Sequence, residues 1–261
     1  MWVTCIRRVK GLVMLVLFGL FFVGILMELI FVFPFLWLLS RLAGPQPYLM
    51  QSVHSLLFGI WLFPLRCFGL LREKTPIGIP YSGPCLIVAN HPGLFDVLFL
   101  IRRVPMLSMM VKSSLAVDLP LGKIFKLSGY IPAPEAGNVS PVAALLDARN
   151  LIQSGYKFLF FPEGTRSPKG GLRPFKHGLF RLARMAGVPI QPVLIRNEPP
   201  FLTHDDQWRN PPFETSTIQL EFWDPLTPPE QGAEREFANM LESRYRETLG
   251  LEPAAGRRFD D

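Results

Sequence analysis

His91 and Asp96 are the residues of this chain whose types and spacing best suit acid–base chemistry. They follow the apolar run Leu86–Ala89, which predicts a short buried strand that ends at Pro92 and Gly93. His91 then lies in a strand-to-helix loop, and Asp96 lies in the first turn of a helix that begins at about residue 94. A carboxylate bonded to one imidazole nitrogen leaves the other nitrogen free as a base. The spacing predicts a base for a substrate hydroxyl, although a structural loop histidine and a dipole-favoured helix aspartate fit it too.

A second polar loop follows a second buried strand, at residues 157–161. Pro162 ends this strand, and the loop reads Glu163, Gly164, Thr165, Arg166. Arg166 can hold a phosphate bidentately, Gly164 permits a close backbone approach, and Glu163 can orient an acceptor hydroxyl. Because open α/β sheets bind ligands at the carboxyl ends of their strands, we expect this loop and His91 to face one cleft. The alternative is a turn with a surface arginine.

Together, the motifs His91-Pro92-x-x-x-Asp96 and Phe161-Pro162-Glu163-Gly164-Thr165-Arg166-Ser167 resemble those of the PlsC-like glycerolipid acyltransferases, the family of lysophosphatidic acid and lysophospholipid acyltransferases. A middle block, from Val111-Lys112 to Gly129-Tyr130-Ile131, and the segment 188–193 are similar to the same family. The resemblance covers about residues 80–200.

The resemblance implies an O-acyltransferase. His91 and Asp96 are the expected catalytic residues, and the expected substrate-binding residues are Glu163, Gly164, Thr165, Arg166 and Lys112. The acceptor hydroxyl attacks an acyl thioester, either acyl-CoA or an acyl-carrier protein, without an acyl-enzyme. Backbone N–H groups near Gly93 are expected to stabilise the oxyanion. No metal and no cofactor are expected, and the partners are the membrane lipid, the lysophospholipid acceptor and the acyl donor.

One departure from the family pattern bears on the acceptor. Many family members carry an arginine shortly after the middle-block glycine, whereas residues 129–135 hold no basic residue. The chain then depends on Arg166 and Lys112 to bind a phosphate, or it takes an acceptor other than lysophosphatidic acid. Residues 196–203 are similar to members associated with aryl-polyene and related lipid pathways. A catalytically inactive, lipid-binding member is a further alternative.

Other chemical classes fit the sequence less well. The Gly-x-Ser-x-Gly signature expected of a serine hydrolase does not occur. A metal hydrolase could use His91 and Asp96 with residues 204–206, but these show no familiar ligand spacing. His54 is interpreted as a packing residue and His177 as a surface or capping residue. Basic residues do not form a cluster interleaved with aromatic residues, so nucleic acid is not expected as a partner.

The elements that must position these residues alternate between strand and helix. Apolar runs predict strands at 85–90, 106–111, 157–161, 189–195 and 216–223. Helices are predicted from Ser140-Pro141, with Val142, Leu145, Leu146 and Ile152 buried, at 176–186, and at 234–249 with the stripe Phe237, Met240, Leu241, Tyr245 and Leu249. This alternation predicts an α/β fold with a mostly parallel sheet flanked by helices.

The N-terminal part of the chain has a different character. Residues 11–40 are nearly all apolar, with Glu28 as the single charge, and they exceed the ~20 residues that a spanning helix needs. A second stretch, 53–71, is interrupted by Pro64 and Arg66, and Gly44-Pro45-Gln46-Pro47 predicts a sharp turn between the two. We expect a hairpin within one leaflet, or a single span followed by an interfacial helix. The alternative is a water-soluble protein with a buried N-terminal helix.

Composition indicates a membrane protein. Hydrophobic residues make up 49% of the chain, charged residues make up 18%, and 27 Lys and Arg exceed 21 Asp and Glu. The three cysteines show no pair spacing, which indicates reduced thiols and a cytosolic site for the polar part. We expect a membrane-associated segment at 1–75, an acyltransferase domain at 76–252 and a polar tail at 253–261. The expected location is the inner, cytoplasmic membrane, with the catalytic domain facing the cytosol.

Overall fold

The structure is a computed structural model, and it describes residues 2–43, 47–113, 121–134, 140–203 and 211–253. Within these residues a mixed sheet has the strand order β1-β7-β6-β2-β5-β3-β4. The strands are β1 (Leu71–Glu73), β2 (Leu86–Ala89), β3 (Leu107–Val111), β4 (Ile131–Pro132), β5 (Lys157–Phe160), β6 (Ile190–Glu198) and β7 (Ser216–Phe222). The strands β2 to β6 run parallel, whereas β7 pairs antiparallel with β6, and β1 pairs parallel with β7. The predicted α/β fold with a mostly parallel sheet is therefore confirmed.

Helices cover both faces of this sheet. After the N-terminal helices come α4 (Asp96–Arg103), α5 (Leu121–Leu127), α6 (Pro141–Gln153), α7 (Phe180–Ala186) and α8 (Glu234–Thr248). Because side chains alternate along a strand, Ile87 and Ala89 of β2 pack towards α4, while Leu86 and Val88 pack towards α7 and α8. The central strand β2 is thus buried on both faces, as its continuous apolar run predicts.

The N-terminal chain is helical almost throughout. It forms α1 (Trp2–Met27), a π-helical turn (Glu28–Val32), α2 (Phe33–Ala43) and α3 (Pro47–Cys67). Residues 8–39 and 48–67 are each long and apolar enough to cross a membrane. The sequence-based interpretation of 53–71 as interrupted is wrong, because α3 continues through Pro64, which lies in its last turn. Residues 44–46 of the predicted turn lie outside the described residues.

All five predicted strands form. The prediction and the structure differ in the short elements and in the buried faces of helices. The strands β1 and β4 are too short to give a periodic pattern. The helix predicted from 176 begins only at Phe180. In the segment before it, the N–H of Phe175 donates to Glu242 (2.9 Å) and that of Lys176 to the carbonyl of Pro162 (2.8 Å).

Two predicted helix faces are partly wrong. In α6 the small Ala144 and Ala148 join Leu145 and Ile152 in the packed stripe, which leaves Val142 61% and Leu146 41% exposed. In α8, Leu241 and Tyr245 are buried as predicted, but Met240 is 46% exposed.

The sheet begins before the predicted domain boundary at residue 76. Leu71, Arg72 and Glu73 form β1 and pair with residues 216–218 of β7. The helix α3 therefore connects almost directly to the edge of the sheet. Residues 254–261 of the predicted polar tail lie outside the described residues.

Candidate active site

The two predicted motifs lie on neighbouring strands and at the same edge of the sheet. The strand β2 pairs in parallel with β5, with Val88 opposite Phe160, so the loops that follow them leave the sheet side by side. Hydrogen bonds join these loops directly. The N–H of His91 donates to Oε1 of Glu163 (2.9 Å), and the N–H of Ser167 donates to the carbonyl of His91 (2.7 Å). The structure thus places the His91 loop and the Glu163 loop together, as the sequence predicts.

His91 and Asp96 are in hydrogen-bonding contact. Nδ1 of His91 lies 2.9 Å from Oδ2 of Asp96, and the N–H of Gly93 donates to the same oxygen at 2.7 Å. The carboxyl is completely buried, and α4 begins at Asp96. Burial raises the pKa of Asp96, while the hydrogen bonds from His91 and Gly93 and the nearby Arg166 oppose this rise. The carboxyl therefore fixes the orientation of the imidazole.

The far side of the imidazole is open to a substrate. The His91 side chain is 17% exposed, and its ring stacks on Phe161 at a centroid distance of 4.1 Å and an interplanar angle of 17°. Among the described residues, no group forms a hydrogen bond with Nε2 of His91. Since Nδ1 faces Asp96, Nε2 is the nitrogen that can accept a proton from a bound hydroxyl.

The N–H of Gly93 is bonded within the protein, and a role for other backbone N–H groups near it in binding an oxyanion stays a prediction. The N–H of Gly93 donates to Asp96, and the next N–H, that of Leu94, donates to the carbonyl of Leu202 at 3.1 Å. Gly93 has a packing role instead. A Cβ at this position would lie 2.6 Å from Nδ2 of Asn197 and 3.0 Å from the carbonyl oxygen of Phe201. The loop can therefore approach β6 only because residue 93 has no side chain.

Glu163 lies beneath the loops and not in the open cleft. Glu163 is 3% exposed, and both of its carboxylate oxygens accept hydrogen bonds. Oε1 accepts hydrogen bonds from the N–H of His91 and from Oγ of Ser167 (2.7 Å), and Oε2 accepts one from the N–H of Arg173 (2.8 Å). Burial raises the pKa of Glu163, and these hydrogen bonds oppose the rise. This geometry differs from the expected contact with an acceptor hydroxyl, because the carboxylate is bonded to the loop that carries His91.

The rest of the second motif lies on the surface of the cleft. Gly164 and Thr165 are exposed, and Gly164 has a positive φ of 73°. Nη1 of Arg166 donates to the carbonyls of Leu202 and Thr203, both at 3.0 Å. Among the described residues, the other guanidinium nitrogens have no hydrogen-bond partner. Arg166 is thus held in place with N–H groups left for an anion.

Two cations stand at the same edge of the sheet. Lys112 is exposed and directly follows β3, the parallel neighbour of β5. Lys176 was missed by the sequence reasoning, and its Nζ lies 2.7 Å from the position that a Cβ on Gly164 would occupy. Residues 114–120 of the middle block lie outside the described residues.

Residues 204–206 of the alternative metal site lie outside the described residues. In the ranges that the structure does describe, no group of three or more His, Cys, Asp or Glu side chains could hold a metal ion.

Several supporting residues carry no sequence signal of their own. Asn90 accepts from the N–H of Ile195 (2.7 Å) and donates to the carbonyl of the same residue (2.9 Å), which ties β2 to β6. Asn197 donates to the carbonyl of Phe201 (2.8 Å). In the sequence, Asn90 and Ser167 are marked only by their positions, because Asn90 precedes His91 and Ser167 follows Arg166.

Comparisons with known proteins agree with these motifs. Residues 72–196 match the sequence model of the Acyltransferase family. Human 1-acyl-sn-glycerol-3-phosphate acyltransferase beta is 35% identical over 131 residues, which cover 49% of this chain and 47% of the human protein. A chloroplastic 1-acyl-sn-glycerol-3-phosphate acyltransferase of Brassica napus is 33% identical over 112 residues, or 43% of this chain and 33% of that protein. The chain thus spans about half or less of the length of these curated relatives.

A solved structure shares the fold. The crystal structure of the 1-acyl-sn-glycerophosphate (LPA) acyltransferase PlsC from Thermotoga maritima superposes with a TM-score of 0.65 at 21% sequence identity, over 94% of this chain and all of that one. The matched residues 72–196 contain His91, Asp96, Lys112 and the whole second motif. Just under half of the chain therefore matches the Acyltransferase family model, and the chain shares the fold of the solved PlsC structure.

Proposed function

We propose that this protein is a membrane-bound acyltransferase that moves a fatty acyl group from an acyl thioester to the hydroxyl of a lysophospholipid such as 1-acylglycerol-3-phosphate. The observation that carries the proposal is the bonded pair of loops, in which His91, paired with buried Asp96, lies beside the loop of Arg166. The named relatives act on 1-acyl-sn-glycerol-3-phosphate, which supports a lipid acceptor.

In the proposed mechanism, Nε2 of His91 takes the proton from the acceptor hydroxyl as its oxygen attacks the thioester carbonyl. Asp96 stabilises the imidazolium that forms. When the tetrahedral intermediate collapses, the C–S bond breaks, and the imidazolium returns the proton to the departing thiolate. General-base assistance of this kind typically contributes about 10²–10⁴-fold in rate. No cofactor takes part, and the donor is acyl-CoA or an acyl-carrier protein.

Arg166 is proposed to bind the acceptor phosphate, with Lys112 as a second cation at the same edge of the sheet. The N–H groups of Arg166 that have no partner among the described residues match a phosphate, and the backbone bonds of Nη1 hold the guanidinium in a fixed orientation. Gly164 and Thr165 are exposed beside it and would contact the same substrate. Glu163 is proposed to act as a positioning residue, since it holds the backbone of His91.

The apolar helices are proposed to hold the active site at the bilayer, where the acceptor and the product reside. In α1 and α3 many apolar side chains face outwards, among them Leu12 at 63%, Leu20 at 58% and Leu56 at 65% exposure. The proposed location is the inner membrane, with the catalytic domain on the cytosolic side. Cys67 and Cys85 are free thiols, as expected in a reducing compartment.

Residues 129–135 support a second class of acceptor. The stretch contains no basic residue, and Tyr130 and Ile131 in it are buried. A non-phosphatidate acceptor of a specialised pathway, such as an aryl-polyene lipid, is therefore the second candidate.

The test is product analysis with the purified full-length protein. Labelled acyl-CoA and acyl-carrier protein are each incubated with a panel of lysophospholipids and unphosphorylated lipid alcohols, and the products are resolved by mass spectrometry. We expect a diacyl product from lysophosphatidate. Transfer only to an unphosphorylated acceptor would favour the second candidate, and no transfer to any acceptor would favour the inactive, lipid-binding alternative.

A further inference from the structure

Five cationic side chains gather where α3, β1 and α4 end, on a part of the molecule that takes no part in the proposed catalysis. We propose that this basic cluster is a headgroup site for an anionic phospholipid of the membrane surface. Its members are Arg66, Arg72, Lys74, Arg102 and Arg103. The proposal concerns the attachment of the protein to the membrane, and it stands whether or not the chain transfers acyl groups.

The basic cluster keeps a large positive charge. A single carboxylate, that of Glu73, lies among its members and forms ion pairs with Arg66, with Arg102 (3.3 Å) and with Arg103 (2.5 Å). The side chains of Arg72 and Lys74 are exposed, and neither forms an ion pair with any residue that the structure describes. Five cations around one carboxylate leave an excess of charge that an anion can neutralise.

The shape of the surface fits the headgroup of an amphiphile. Arg66, Arg72, Lys74 and Arg103 line an open cleft of about 500 Å³. A groove of about 620 Å³ adjoins it along α3, and Arg103 lines both. Three apolar side chains of the groove, those of Leu56, Ile60 and Phe63, are 65%, 61% and 63% exposed.

Gly59 brings the cationic and apolar parts of this surface together. A Cβ at residue 59 would lie 3.4 Å from Nε of Arg102, so the guanidinium rests directly against α3. An anionic headgroup at the basic cluster would place its hydrocarbon chain along the groove.

A lipid fits this surface better than either a substrate or an acidic protein. The helix α4 separates Arg102 and Arg103, in its last turn, from Asp96, in its first, and its eight residues span about 10 Å. The basic cluster thus lies at the other end of α4 from the proposed base. An acidic carrier protein would satisfy the charge but would not cover the exposed apolar side chains of α3.

The experiment counts lipids bound to the full-length protein. The protein in neutral detergent is titrated with phosphatidylglycerol or phosphatidylcholine, and native mass spectrometry gives the affinity for each. We expect preferential binding of phosphatidylglycerol. The double variant Arg72→Gln/Lys74→Gln leaves every ion pair of Glu73 intact, and it should weaken this binding roughly 10- to 30-fold, given the attraction of two surface cations for anionic lipid. Binding of phosphatidylcholine should not change.

A matched control removes two positive charges from another part of the protein surface. Lys126→Gln/Arg181→Gln alters two exposed cations of α5 and α7, and it should bind phosphatidylglycerol as the wild type does. His91→Ala should also bind normally, which separates this proposal from the failure of the proposed catalysis. Equal affinity for the two lipids, or an equal loss in the control, would overturn the proposal.

Two further results would overturn the proposal by identifying another site. If Arg166→Ala abolishes the preference for phosphatidylglycerol, the lipid occupies the catalytic cleft. If Arg72→Gln/Lys74→Gln raises the KM for an acyl-carrier protein while lipid binding stays normal, the basic cluster is a carrier-protein site.

Discussion

At the scale of single residues, two carboxyl groups hold one histidine from opposite sides. Asp96 contacts the imidazole of His91, and Glu163 accepts the backbone N–H of the same residue. The first contact orients the ring, while the second fixes the loop that carries it. The sequence predicted the first because the spacing of five residues is local. It could not predict the second, because the contact of Glu163 depends on which strands become neighbours.

Arg166→Ala is expected to weaken binding of a phosphorylated acceptor. Losing charge-assisted hydrogen bonds worth about 1.5–3 kcal/mol should raise the KM for lysophosphatidate roughly 10- to 100-fold. The KM for the acyl donor should stay within about twofold of the wild type, because Arg166 is proposed to bind the acceptor phosphate and not the donor. Steady-state kinetics with lysophosphatidate and with the matching monoacylglycerol test this, and an unchanged ratio of the two acceptor KM values would exclude the role.

Glu163→Gln is expected to change how stability depends on pH. Burial raises the pKa of Glu163 above its ordinary value of 4.5, so the folded protein keeps a proton that the unfolded chain releases. The stability of the wild type therefore falls as the pH rises from about 4.5 through the raised folded pKa, relative to a variant that cannot ionise. The melting temperature of Glu163→Gln minus that of the wild type should increase over this range.

The control for this pH effect is Glu236→Gln, at an exposed position of α8. Its melting temperature should follow that of the wild type at every pH. A difference between Glu163→Gln and the wild type that stays constant or decreases with rising pH would contradict the account.

At the scale of elements, the site depends on how closely the His91 loop approaches β6. Asn90 bonds to Ile195 in both directions, and Gly93 packs against Asn197. The sequence predicted that a strand ends here and that a helix follows. Which strand lies alongside depends on sheet order, and no local pattern encodes the order of seven strands.

Gly93→Ala is expected to impair turnover by displacing the loop. The new Cβ would lie 2.6 Å from Nδ2 of Asn197 and 3.0 Å from a backbone oxygen, so the loop must move. Overpacking of this kind typically costs about 1–3 kcal/mol, and a displacement of about 1 Å near a catalytic group can lower kcat about 100-fold. Gly178→Ala, where a Cβ would meet no atom within 4 Å, is the control for kcat and melting temperature. Normal kcat in Gly93→Ala would show that the close approach is dispensable.

The apolar helices are joined to the domain by a polar contact that the sequence did not predict. Glu28, the one charge of the segment 11–40, lies 2.7 Å from Nε2 of His54, and Nδ1 of His54 lies 3.3 Å from Oγ of Ser128. His54 is therefore more than a packing residue. It connects the π-helical turn, α3 and the segment after α5.

His54→Ala is expected to destabilise the protein because it leaves the half-buried Glu28 without this contact. Leaving a polar group without its partner typically costs about 1–3 kcal/mol. The double variant Glu28→Ala/His54→Ala should be more stable than the sum of the single variants implies, which thermal unfolding in detergent can measure as a coupling energy. Ser52→Ala, at an exposed position of α3, is the control. Additive effects of the two single variants would mean that the contact contributes nothing.

At the scale of the whole molecule, the apolar N-terminal helices and the α/β domain meet at α4. Its first turn carries Asp96, its last turn carries Arg102 and Arg103, and its inner face packs Phe99 and Leu100 into the core beside Leu62 and Leu65 of α3. Apolar composition predicted the N-terminal helices, and strand periodicity predicted the sheet. The packing of one on the other arises from long-range contacts, which explains why the basic cluster was not predicted.

The most direct test of the account is the rate of acyl transfer by His91→Ala, measured with labelled acyl donor and lysophosphatidate beside the wild type. Loss of the general base should lower the rate by at least about 10²–10⁴-fold. Binding to phosphatidylglycerol should stay at the wild-type value, because the basic cluster lies at the other end of α4. The melting temperature should fall, because buried Asp96 loses its partner. Turnover at the wild-type rate in a folded His91→Ala protein would contradict the central claim, since another group would then have to take the proton.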